Sequence, residues 1–119
     1  VFAAELDWDL LLELIKSVKI KFEELPKFPS VRRDLSILLD EKIKFSEIEA
    51  LSRKIHPKWI REINLFDVYE GKNLEAGKKS YAVSFQLYNE EATLTDTEVD
   101  KVMNEIINSL GKNLGAVLR

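Results

Sequence analysis

Eight residues from Ser80 to Leu87 alternate without a fault, with Tyr81, Val83, Phe85 and Leu87 on one side and Ser80, Ala82, Ser84 and Gln86 on the other. An extended chain points successive side chains to opposite faces, so this segment predicts a strand with one apolar face sealed and one polar face left open. The run Leu65-Phe66-Asp67-Val68-Tyr69-Glu70-Gly71 precedes it, and the intervening loop ends at Gly77-Lys78-Lys79. The two runs read as a hairpin. Carrying the alternation across to the earlier run groups Ile63, Leu65, Asp67 and Tyr69, and sets Asp67 and Tyr69 on the wet face with Ser80 and Ser84. An acid, a phenol and two hydroxyls gathered there make a surface suited to binding.

The rest of the chain supplies what such a hairpin needs. Leu35, Ile37 and Leu39 alternate with Asp34, Ser36 and Leu38, predicting a first strand that ends in the polar turn Asp40-Glu41-Lys42. Ser46 with Glu49 forms a capping box ahead of the apolar stripe Ile48, Leu51 and Ile55, and His56-Pro57 ends that helix. After the hairpin, Thr95 and Glu98 form a second capping box before Val99, Val102, Met103, Ile106, Ile107 and Leu110. Gly111 or Gly115 stops this helix, and Ala116 to Arg119 adds a last short strand. The order strand, helix, strand, strand, helix, strand predicts an α+β fold: a ferredoxin-like β-α-β-β-α-β sandwich whose four-stranded antiparallel sheet carries two helices on one face.

An N-terminal extension precedes this unit. Val1 to Leu6 is strand-like, Asp7 is placed to cap a short helix through Leu10, Leu11, Leu14 and Ile15, and Val18, Ile20 and Phe22 then alternate. These elements look orphaned; Pro26 and Pro29 each disfavour helix just before them, so an extended linker divides the chain into residues 1–27, this extension plus linker, and residues 28–119. The chain opens at Val1 inside an apolar run and its only methionine is Met103, so it is expected to be a piece of a longer protein.

Composition narrows the chemistry. With 119 residues, 45% apolar and 33% charged, the chain can bury a core without staples, and the absence of cysteine removes disulfides and thiolate chemistry. The apolar runs near the start, Leu10 to Leu12 among them, are far too short to span a bilayer. His56 is the only histidine and sits at a helix end, so neither a catalytic triad nor a histidine-rich metal site has the residues it needs. Carboxylate pairs such as Glu47 and Glu49, or Glu90 and Glu91, fall on solvated faces, and the four glycines are all used as punctuation. No catalytic, metal or cofactor site is expected in this fragment.

Charge bears on partners. Residues 1–25 hold six acids and three lysines, and the remainder carries fifteen residues of each sign. A neutral body does not grip nucleic acid mainly by phosphate neutralisation, so any such binding must rest on local contacts. Tyr69 offers a stacking plane to an unpaired base, Asp67 and Ser80 can read base edges, and Arg119 can serve a base or a phosphate. A contact with another protein subunit accounts for the same cluster about as well. Lys79 to Phe85 faintly suggests the strand motif of RNA-recognition-motif domains, but the aromatic spacing is wrong and Ala82 lacks a ring.

Several motifs in order carry a resemblance. Phe28-Pro29-Ser30-Val31-Arg32-Arg33-Asp34-Leu35-Ser36, Leu65 to Gly71, Gly77 to Ala82, Thr93-Leu94-Thr95-Asp96 and Gly115 to Arg119 together resemble the C-terminal ferredoxin-fold anticodon-binding domain of bacterial-type phenylalanyl-tRNA synthetase beta subunits. The resemblance implies a non-catalytic module that holds the anticodon stem-loop of phenylalanine tRNA while a separate alpha subunit aminoacylates it, and Val1 to Leu14, which resembles the last strand and exit helix of the catalytic-like domain that precedes this module, makes residues 1–27 the end of that domain plus a linker. It implies a cytoplasmic parent enzyme, a two-alpha, two-beta heterotetramer using ATP and magnesium bound elsewhere, with no membrane partner. By matching motif positions, nucleic-acid contacts fall on Asp67, Tyr69, Ser80 and Arg119, with Arg33 and Lys79 as further contacts. Weak tRNA binding with steep salt dependence is expected of the fragment alone. The alternatives are a ferredoxin-like amino-acid sensor, although Asp40 to Ser46 lacks the glycine such sensors use, and a subunit-docking domain.

Overall fold

Strand alternation and helical stripes resolve into a single sheet with one covered face. The computed structural model describes residues 1–22 and 25–119. Its elements are α1 (Trp8–Ile15), β1 (Val31–Asp40), α2 (Phe45–Ile55), β2 (Ile60–Tyr69), β3 (Lys78–Leu87), α3 (Asp96–Leu114) and β4 (Val117–Leu118). The strands lie in the order β2-β3-β1-β4, and every neighbouring pair is antiparallel. From β1 onward this is the ferredoxin-like order that the sequence predicts.

The core lies between the sheet and helices α2 and α3. Tyr81, Val83, Phe85 and Leu87 of β3 are buried with Leu35, Ile37 and Leu39 of β1, and against them pack Ile48 of α2 and Val99, Val102, Ile106 and Leu110 of α3. Each large apolar side chain so buried stabilises the fold by about 1.5–3 kcal/mol relative to exposure. Ser52 is the polar residue buried on α2, and its hydroxyl donates to the Ile48 carbonyl at 2.8 Å.

Helix ends follow local chemistry. Thr95 caps α3: the Glu98 carboxylate accepts from the Thr95 amide at 2.8 Å, and the Thr95 hydroxyl accepts from the Glu98 amide at 3.4 Å. Gly115 ends the helix in the left-handed region, φ 66°, with Gly111 still inside it. On α2 the capping box expected of Ser46 and Glu49 does not form. Lys44 is the cap, in extended geometry, and its amide donates to Glu47 at 2.9 Å; Ser46 is already in the first turn, and Glu49 pairs with Arg53. His56 ends α2 and stacks on Trp59 with ring centroids 4.7 Å apart.

The N-terminal segment is helical only where it was expected to be capped. Asp7 accepts from the Leu10 amide at 3.0 Å at the start of α1. Val1–Leu6 and Val18–Phe22, predicted as strand-like, form no strand among the described residues, because no neighbouring strand is there to pair with them. No residue of α1 is buried, and Trp8, Ile20 and Phe22 are all exposed. Past this segment, the Lys27 amide donates to the Tyr88 hydroxyl at 3.1 Å and ties the linker to the body.

Candidate nucleic-acid interface

Residues directly opposed across a ladder share a face, so the register of β2 on β3 decides what reaches the open side. Ile63 opposes Phe85 and Leu65 opposes Val83, which turns both toward the helices. A register shift follows: Asp67 opposes Ala82, Val68 opposes Tyr81 and Tyr69 opposes Ser80. Phe66 is the extra residue of a β-bulge. Simple alternation grouped Ile63 and Leu65 with Asp67 and Tyr69; the bulge separates them, sending the first two into the core side and the last two to the open face.

Four of the six residues singled out from the sequence lie on the open face. Tyr69, on edge strand β2, and Arg119, past β4 at the opposite edge, reach toward each other until the guanidinium carbon lies 5.3 Å from the ring centroid. This is within cation–π range. The Arg119 amide donates to the Ser36 carbonyl at 3.0 Å, which fixes the end of the chain against β1. The Ser36 and Ser80 hydroxyl oxygens are 3.4 Å apart on the strands between the two edges. Asp67 is exposed next to Tyr69 in the strand.

Two details differ from expectation. Ser80 and Ser84 face the open side but are only 4% and 8% exposed, because they stand on β3, flanked by β1 and β2. They form a floor and not a wet rim. Tyr69, 39% exposed, lies above this level with its ring against Gly71, where an added Cβ would come within 2.5 Å of the tyrosine Cζ.

Arg33 and Lys79 are on the other face. Arg33 opposes Phe85, and its Nη2 lies 3.1 Å from Asp96 Oδ1 at the start of α3. Lys79 opposes Leu39 and is in phase with Tyr81; its Nζ is 5.0 Å from the Tyr81 ring centroid, and the Tyr81 hydroxyl raises its pKa. The same hydroxyl donates to the Ile43 carbonyl at 2.8 Å. Strand parity therefore removes both cations from the Tyr69 cluster.

Phe66 and Arg32 were not singled out from the sequence, yet they share the open face. Arg32 opposes Gln86, its guanidinium carbon lies 5.7 Å from the Phe66 centroid, and its Nε meets Asp34 Oδ1 at 2.9 Å. The break in alternation at Leu65-Phe66-Asp67 was the available signal. Among the described residues no group of three or more histidines, cysteines and acids is arranged to hold a metal ion, and no helix is long and apolar enough to cross a membrane.

Comparison with known proteins adds to this geometry. Residues 26–119 match the ferredoxin-fold anticodon binding domain family. The whole chain is 52% identical to part of the phenylalanine–tRNA ligase beta subunit of Bacteroides fragilis and 51% identical to part of that of Porphyromonas gingivalis, covering 14% of each relative. Over 118 residues, or 99% of the chain, it is 45% identical to the beta subunit of Clostridium acetobutylicum, covering 15% of that protein. The chain thus spans only about a seventh of the length of these curated relatives.

Proposed function

The chain belongs to the ferredoxin-fold anticodon-binding domain family, and from that membership we propose that it holds the anticodon stem-loop of phenylalanine tRNA within a phenylalanine–tRNA ligase beta subunit. The meeting of Tyr69 and Arg119 across the open sheet face, with Asp67 beside them, carries the reading. An unpaired base stacks on the Tyr69 ring, Asp67 accepts hydrogen bonds from a base edge, and the Ser80 hydroxyl beneath provides a polar floor. A base between two stacked partners needs about 7 Å, two layers of roughly 3.4 Å. At 5.3 Å there is no such room. Arg119 therefore leaves the ring as the base arrives and turns its guanidinium to the nucleotide's own acceptors or phosphate.

The fragment positions RNA and performs no chemistry in this reading. Residues 28–119 form the binding module, and residues 1–27, whose apolar side chains are largely exposed, are the end of a preceding domain. Aminoacylation, with ATP and magnesium, is carried out by an alpha subunit in a cytoplasmic two-alpha, two-beta enzyme. The test is Tyr69→Ala titrated against the phenylalanine anticodon stem-loop by fluorescence anisotropy. Loss of the stacking plane is expected to cost about 1–3 kcal/mol of binding, with the melting temperature unchanged. A collapse in melting temperature, or undiminished binding, would overturn the assignment.

A further inference from the structure

We propose that Phe66 and Arg32 form a second stacking platform on the open face, which takes a nucleotide next to the one on Tyr69; this rests on the anticodon-loop reading above. The β-bulge is the device. Counting on from Leu65, which faces the helices, strict alternation would send Phe66 to the open side and Asp67 and Tyr69 to the core side. Insertion of one residue resets the phase after Phe66, so that Phe66, Asp67 and Tyr69 all share the open face while Val68 turns back toward Tyr81. Three contact residues are thereby concentrated on one side of a short stretch of edge strand.

Phe66 has no core role to explain it. Its side chain is 54% exposed, and it is absent from the core and from the residues packed against that core. The guanidinium that approaches it is held by Asp34, with Arg32 Nε 2.9 Å from Oδ1 and Nη2 3.3 Å from Oδ2, and at 5.7 Å from the ring it leaves no room for a base between them, so the nucleotide stacks on the outside of the pair. The pair repeats the arrangement of Tyr69 and Arg119: an aromatic ring from β2 met by an arginine from the far half of the sheet. Aromatic planes flanked by arginine are what unstacked bases bind without needing a particular base identity. Three residues of strand separate the rings by roughly 10 Å, at about 3.3 Å per residue. That is too far for one base to stack on both, and close enough for neighbouring nucleotides of a single-stranded loop, with Asp67 between them.

The test places 2-aminopurine, whose fluorescence is quenched by stacking, at each loop position of the phenylalanine anticodon stem-loop in turn. The RNA is titrated with the chain and with its Phe66→Leu, Phe66→Trp and Tyr69→Ala variants. Wild type is expected to alter the signal at two neighbouring positions. Phe66→Leu should abolish the response at one of them and weaken binding about tenfold, Tyr69→Ala should abolish the other, and Phe66→Trp should restore the first. If Phe66→Leu matches wild type at every position while Tyr69→Ala acts, the second platform is wrong and the anticodon-loop reading stands. If Phe66→Leu abolishes both responses together, Phe66 acts only through Tyr69 and the platform is again refuted. If wild type neither binds nor alters any position, both proposals fall.

Discussion

Gly71 and Gly77 look alike in the sequence, as two glycines bracketing a hairpin loop, yet they are glycines for different reasons. Gly77 has φ 79°, a left-handed conformation that any side chain strains, and open space where a Cβ would go. Gly71 has no such backbone requirement; what it lacks is room, because the Tyr69 ring occupies the place of its Cβ. Gly71→Ala is therefore expected to displace the Tyr69 ring and lower RNA affinity toward that of Tyr69→Ala, with little change in melting temperature. Gly77→Ala should do the opposite, destabilising the fold by about 1 kcal/mol and leaving affinity nearly intact. Thermal melts and anisotropy titrations on the two variants separate these outcomes. Sequence alone marked both positions as turns, since the reason for Gly71 lies in where a neighbouring ring folds back.

At the level of elements, what the sequence made legible was whatever obeys a short period. The β3 alternation, the α3 stripe and the Thr95–Glu98 cap all appear as predicted, because each depends on residues within a turn or two of one another. The β2 bulge and the α2 cap did not, since a one-residue phase change depends on the partner strand and on where the preceding turn delivers the chain. Asp67 and Tyr69 were placed on the open face from an alternation that also put Ile63 and Leu65 there, and the bulge corrects the grouping while keeping the conclusion for the first two. The α3 cap yields a pH prediction. Hydrogen bonds from the Thr95 amide and hydroxyl hold the Glu98 carboxyl below its usual pKa. A carboxyl lowered on folding adds stability that is present above its unfolded pKa and disappears as pH falls through the folded value. Glu98→Ala should accordingly be less stable than wild type at neutral pH, with the gap closing in acid below the usual carboxylate range. Thr95→Ala should cost about 1 kcal/mol at pH 7. Urea denaturation of both variants at several pH values reads this directly.

For the molecule as a whole, charge on the binding face sets how binding responds to salt. The open face presents Arg32, Lys78 and Arg119 as cations, together with Arg61, the extra residue at the first register shift of β2, over the Tyr88 ring; Arg32 and Lys78 are already paired with Asp34 and Glu75. Against them stand Asp34, Asp40, Glu62 and Asp67, assigned to the same face by register or, for Asp34 and Asp40, by strand parity. Arg33 and Lys79, which the sequence reading counted toward RNA, are held on the helix side by Asp96 and Tyr81. The few cations left on the open face argue for a shallower salt dependence than the steep one expected from sequence. With no more than four phosphates neutralised, a single-stranded loop should give a log–log slope of about −0.7 for each, or roughly −3 in total. Raising salt from 50 to 200 mM should then weaken binding by no more than about 50-fold, as affinity rests chiefly on stacking and base-edge contacts. Anisotropy titrations across that range test the point. A slope beyond about −4 would mean that phosphates are gripped by cations off the open face, and that the RNA lies along another surface of the domain.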